Sequence, residues 1–196
     1  MKLQYPLLEK IEIDNEEYSI DMSFDNVLRL IDMLGDDGLD DTDKITIGLE
    51  MLIGVQLEHD IQTLSDVFNS MFEQILVPKN DKDVQLDLEG NPMPSEDDNS
   101  KAQYCLNQDA ELIYAGFMQE YGLDLFECAG SLHWDKFKAL LSGLGDDTQF
   151  KKVIEIRTMD LPNGKGSNKE REHIQKLKRK YKLKSDVSEV SDNEED

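Results

Sequence analysis

Apolar residues recur along this chain at two spacings. Period two comes first. Ile11 and Ile13 alternate with charge, Asp14-Asn15 offers a turn, and Tyr18 and Ile20 alternate again. That pattern predicts a β-hairpin, and because two strands alone are marginal in water, it must pack on something. Helical spacing follows. Ser23 precedes Val27, Leu28, Leu30, Ile31 and Leu34, and Gly35 stops the run, which predicts a helix capped by Ser23. Lys44 to Val55 fits either period; the Asp and Thr residues ahead of it favour a helix. Ile61, Leu64, Phe68, Met71, Phe72, Ile75 and Leu76 then form one continuous helical stripe, ended by Pro78.

The densest apolar set lies between Asp109 and Leu161 and includes the single tryptophan, Trp134. Leu112, Ile113, Gly116, Phe117 and Glu120 share one side of a predicted helix that Gly122 terminates. Ser131 precedes a second helix carrying Trp134, Phe137, Leu141 and Leu144, with Gly143 and Gly145 at its end. Asp147 or Thr148 can cap a third, which carries Phe150, Val153, Ile154 and Arg157. Tyr114, Phe117, Trp134, Phe137 and Leu141 are therefore candidate structural core, since large aromatics dominate small cores.

Two segments break the pattern. Lys79 to Asn107 holds Gly90, Pro92, Pro94 and the run Ser95-Glu96-Asp97-Asp98-Asn99-Ser100, so a long, mobile acidic loop is expected at 79–107. After Leu161 comes a linker, PNGKGSN, then a basic helix from Lys169 to Lys184 with Ile174, Leu177 and Tyr181 as a thin apolar strip. The last twelve residues are acidic. This divides the chain into a helical body, 1–161, and a flexible charged tail, 162–196. The fold class is mainly α, with about six helices and a small N-terminal hairpin. Because the thin strip buries little, deleting 163–196 is expected to leave the melting temperature nearly unchanged.

Charge sharpens the division. The net charge is −22, yet residues 1–100 carry 6 basic and 25 acidic side chains, while residues 151–184 carry 12 and 4. An acidic body repels phosphate backbones, so no nucleic-acid partner is expected. It also keeps a protein, and whatever it holds, from self-associating. The basic helix suits an acidic partner or the acidic body of a neighbouring subunit. The acidic C-terminal run can also mask it. Two cysteines are too few for a disulfide scaffold, and no apolar run is long enough to cross a bilayer. A cytoplasmic protein with no membrane partner is expected.

Candidate chemistry adds little. The run Gly35 to Asp43 is rich in Asp, but a calcium loop starting at Asp36 would need an oxygen at Gly38 and a glycine at Asp41. His59, His133 and His173 lie far apart, and Cys105, Cys128 and His133 lack a zinc spacing. No phosphate loop, dinucleotide fingerprint, HExxH or GxSxG occurs. No catalytic, cofactor-binding or metal-binding residue is assigned, and the chain is not expected to be an enzyme. The Met- and Phe-bearing stripe suits a partner helix, with Phe68, Met71 and Phe72 as candidate contacts. Leu177 and Tyr181 of the basic helix join them.

The central stretch also resembles a known family. Asp109-Ala110, Ile113-Tyr114-Ala115 and Phe117 are followed by Gln119, then Tyr121-Gly122-Leu123-Asp124-Leu125. Leu132-His133-Trp134, Lys136-Phe137 and Leu140-Leu141 complete the pattern. It is similar to the tail assembly chaperones of long-tailed phages and prophages of Gram-positive bacteria, where a second aromatic usually follows the tryptophan. Here that position is Asp135. The resemblance implies a cytoplasmic helper, absent from the mature virion, that solubilises the tape measure protein and assists tail tube polymerisation. Its gene would lie between those of the tail tube and the tape measure. The implied partners are the tape measure protein, the tail tube protein and other copies of itself. A different reading of the same acidity is a phage-encoded nucleic-acid mimic that occupies a host protein.

Overall fold

The computed structural model describes residues 3–4, 6–76, 103–162 and 168–184. Among these residues the elements are β1 (Lys10–Ile13), β2 (Glu16–Ser19), α1 (Phe24–Leu34), α2 (Asp41–Ile53), α3 (Ile61–Leu76), α4 (Ala110–Tyr121), α5 (Trp134–Ser142), α6 (Gln149–Thr158) and α7 (Asn168–Lys180). The protein is mainly helical with one small N-terminal hairpin, as its spacing predicts. The chain divides into two compact units. One comprises Met1–Pro94 with Phe126–Leu140, the other Ser95–Leu125 with Leu141–Asp196. Most of the loop expected at 79–107 lies outside the described residues, as does the acidic C-terminal run.

In the first unit β1 and β2 pair antiparallel, with Lys10 opposite Ser19 and Ile13 opposite Glu16. Asp14 and Asn15 both have positive φ, 51° and 65°. That left-handed pair matches the natural twist of a two-residue hairpin, and Asp and Asn tolerate it better than most residues. The hairpin rests on the helices, as its marginal size requires. Ile13 and Ile20 are buried, and the Asp21 amide donates to the Leu52 carbonyl at 2.7 Å.

Helices α1, α2 and α3 pack in sequence. Val27, Leu30, Leu49, Leu52, Leu64, Phe68 and Met71 are all buried. Burying each such side chain contributes roughly 1.5–3 kcal/mol. The approach of α2 to α3 depends on Gly48, where an added Cβ would stand 2.6 Å from Phe68 Cε2 and 3.2 Å from Leu30 Cδ1. Asp40 caps α2 by accepting from the Asp43 amide. Asp60 does the same for α3, accepting from the Gln62 and Thr63 amides. Ser23 stands at the N-cap of α1 but makes no capping bond; its hydroxyl donates instead to Asp21 Oδ1 at 2.6 Å. The buried Asn26 ties the start of α1 to the end of α2, its Nδ2 donating to the carbonyls of Asp21 and Met51.

The segment before α5 closes this unit. Ser23 and His133 form an antiparallel bridge, in which the Phe24 amide donates to Leu132 and the Trp134 amide donates to Met22. Gly130 donates its amide to Asp25 Oδ1 at 2.7 Å. Ser131, the expected cap of α5, bonds the Cys128 carbonyl, and the helix begins at Trp134. The cap is His133, whose Nδ1 accepts from the Asp135 amide at 3.1 Å while Nε2 meets the Leu8 carbonyl at 3.2 Å. Both contacts are satisfied when the ring carries its proton on Nε2. Phe137 stacks between Phe24 and Trp134, with centroids 5.0 and 5.5 Å away and rings within 13° of parallel.

In the second unit α4 packs on α6, and α6 on α7. Ile113, Phe117, Leu141, Leu144, Phe150 and Val153 are buried. Gly122 ends α4 at φ 62°, a left-handed conformation that glycine adopts without strain. Thr148 caps α6. The basic helix buries none of its own residues, as its thin strip implies, and its hold on this unit comes from the segment after it and from hydrogen bonds. Leu183, just past α7, is 2% exposed, and Lys178 Nζ donates to the Arg157 carbonyl. A thin strip suffices because hydrogen bonds to α6 supplement it.

Candidate partner-binding surface

Of the five residues expected to take a partner, the structure places two in the core. Phe68 and Met71, both on α3, are buried, at 6% and 0% exposure. Phe72 is half-buried, its ring 5.8 Å from that of Phe68. Leu177 on α7 and Tyr181 just past it are half-buried. The five do not gather on one face: three belong to the first unit and two to the second. Of the expected core residues, Phe117, Trp134, Phe137 and Leu141 are buried. Tyr114 is half-buried, and its hydroxyl donates to Asp124 Oδ2 at 3.3 Å.

The apolar side chains that do reach solvent are others. In the first unit, besides Leu3 and Phe126, which are the most exposed, Ile47 is 36% exposed, Val55 48% and Ile61 46%. Ile47, Val55 and Ile61 lie on α2, on the turn after it and at the first position of α3. Periodicity singles out a stripe but does not say which edge of it stays open. Ile47 and Ile61 are on helices but are not buried.

The strongest electrostatic feature is in the second unit. Arg157 pairs with Asp109 through two bonds of 2.7 Å, and the two side chains are 10% and 3% exposed. The same guanidinium donates to the carbonyls of Gln103 and Tyr181. Burial would push the Asp109 carboxyl up. The bonds from Arg157 and the Cys105 amide, with the guanidinium charge, together outweigh it and hold the carboxyl below its ordinary value. Asp109 therefore makes no capping bond to α4, although it stands at the N-cap position. This pair was not identified from the sequence. The signal was present: an arginine on the same helical side as Phe150, Val153 and Ile154 must bring a buried partner or lie at the stripe's edge.

Gln108 adds a second tie to the C-terminal segment. Its amide donates to the Lys182 carbonyl and accepts from the Lys184 amide. The exposed surface of α7 and the segment after it is cationic. Lys169, Arg171, Lys176, Arg179, Lys180 and Lys184 are exposed, and among the described residues none of them forms an ion pair. No group of three or more His, Cys, Asp or Glu among the described residues is placed to hold a metal ion. No described helix is long and apolar enough to cross a membrane.

The motif residues of the central stretch thus have structural duties. Asp109 holds Arg157, Tyr114 meets Asp124, Gly122 ends α4, His133 caps α5, and Trp134 stacks on Phe137. Such residues mark a family through its fold. No curated protein and no solved structure matches the chain. The family model described as Bacteriophage Gp15 protein matches residues 3–183, from ahead of the hairpin to the buried Leu183 that anchors the basic helix, and the chain belongs to that family of bacteriophage proteins.

Proposed function

We propose that this protein is a tail assembly chaperone of a long-tailed phage or prophage of a Gram-positive host. In this reading it is a binding protein, not an enzyme. It coats the tape measure protein in the cytoplasm until tail tube subunits displace it, and it leaves before the virion matures. The observation that carries the reading is the motif set from Asp109 to Leu141, in a chain that matches a phage family over residues 3–183. The physics is compatible. A tape measure is long and apolar-patterned, and its exposed faces aggregate. A helper with net charge −22 keeps such a chain dispersed. Many weak copies can be stripped off in turn, where one tight contact could not.

The contact surface we assign is the exposed apolar set Ile47, Val55 and Ile61 rather than Phe68 and Met71, which the core occupies. Co-expression with the tape measure protein of the same phage tests this. The expected outcome is a soluble tape measure that co-purifies with several copies of this protein. The double substitution Val55→Asp with Ile61→Asp should return the tape measure to the pellet while the melting curve of the variant stays close to the parent's. A tape measure that stays wholly insoluble with the parent protein, at every salt concentration, overturns the proposal. Capture of a host DNA-binding protein instead would favour the mimic reading.

A further inference from the structure

The cationic side of α7 is out of keeping with the rest of the molecule. The segment 168–184 carries eight Lys and Arg against two Glu, in a chain of net charge −22. Lys169, Lys176 and Lys180 are spaced by seven and four, so they form one line along the helix, about 16 Å long at 1.5 Å per residue. The helix presents this line rigidly. Arg157 bonds the Tyr181 carbonyl, Lys178 bonds the Arg157 carbonyl, Gln108 holds Lys182 and Lys184, and Leu183 is buried. Six cations are thus held outward with no carboxylate on them among the described residues.

The first unit carries the complementary feature. Between α1 and the first turn of α2, Asp36, Asp37, Asp40, Asp41 and Asp43 are all exposed, and Lys44 is the one cation near them in sequence. We propose that the Lys169–Lys176–Lys180 line of one copy docks on the Asp36–Asp43 run of a second copy, so that the protein self-associates head to tail. The contact joins different patches, so it leaves one of each free and can propagate. This goes beyond the chaperone reading and needs no tape measure to be present.

The charge distribution gives the contact an unusual salt dependence. Two molecules of charge −22 repel through charges tens of ångströms apart, while the docked groups attract at close range. At about 10 mM salt the screening length is about 30 Å and repulsion dominates; at about 150 mM it is about 8 Å and the short contact survives; at about 1 M it is about 3 Å and the contact weakens too. Association should therefore pass through a maximum near physiological salt.

Sedimentation velocity of the full-length protein at these three salt concentrations, over a range of protein concentrations, tests this. The expected result is the largest association at the middle salt. Reversing Lys169, Lys176 and Lys180 to Glu should weaken it by about tenfold, the size expected of three exposed pairs. Reversing Asp37, Asp41 and Asp43 to Lys should weaken it similarly, and mixing the two variants should restore association between them. Melting curves of both variants establish that they fold. A monomer at every concentration overturns the proposal. So does association that rises steadily with salt, which marks an apolar contact, or failure of the mixed variants to associate. Binding of an oligonucleotide to the lysine line with no self-association would assign the surface to a different partner.

Discussion

The two units are held together by different forces. The first is an apolar construction. Its helices bury aliphatic and aromatic side chains against one another, and its only buried ionisable side chain, among the described residues, is His133. The second has a similar helical layer, but its centre is the Arg157–Asp109 pair, on which Gln103 and Tyr181 also converge. Apolar packing is non-directional and nearly indifferent to pH, whereas a buried ion pair is directional and fails when either partner is neutralised. The difference therefore predicts two kinds of fragility in one small chain.

The largest effect is expected at Phe137. Its ring is 1% exposed and stacked on both Phe24 and Trp134, so Phe137→Ala removes two aromatic contacts and leaves a cavity. A loss of about 4 kcal/mol is expected, read from chemical denaturation, with little change between pH 4 and pH 8. A strong pH dependence of that loss would break the distinction between the units.

Next is Arg157→Met, which keeps bulk but strands a buried carboxylate. A loss of about 3 kcal/mol is expected, confined to the second unit and visible as faster amide exchange in α7. The sign of the pH effect follows from Asp109. Its folded value lies below its ordinary one, so its contribution is fully present above the ordinary carboxylate range and is lost as pH falls from there through the folded value. In the parent protein, acid should therefore loosen α7 below about pH 4. In Arg157→Met that acid step should vanish. Amide exchange in α7 that does not change on acidification of the parent would break the link to Asp109.

A smaller effect is expected at Gly48. The added methyl of Gly48→Ala meets the Phe68 ring, which is itself buried and cannot swing into solvent. The expected cost is about 2 kcal/mol, against the gain in helix propensity that alanine brings elsewhere. A stabilised variant would mean that α2 and α3 slide apart freely.

Local signals in this chain are strong because period, caps and turn residues act within a few positions. The Asp14-Asn15 turn, the Gly122 stop, a cap at Asp147 or Thr148, of which the structure uses Thr148, and the α3 stripe could all be read directly, and so could the mainly helical class with its one hairpin. Whether a stripe residue is core or contact depends on which helix arrives across from it. That is why Phe68 and Met71 look available in the sequence and are buried in the fold. The same holds for caps. Ser23 and Ser131 have the right chemistry, but Asp21 and the Cys128 carbonyl claim their hydroxyls, and a histidine caps α5. The aromatic stretch from Asp109 to Leu161 is continuous in sequence yet shared between both units, with 126–140 in the first. Asp109 and Arg157 lie 48 residues apart, and no local pattern pairs them. By itself the sequence determined the elements and the separation of charge along the chain, because those depend on neighbours in the chain. Tertiary structure alone decided the buried ion pair, the docking of the basic helix and which apolar residues face water, because those depend on what long-range packing brings together.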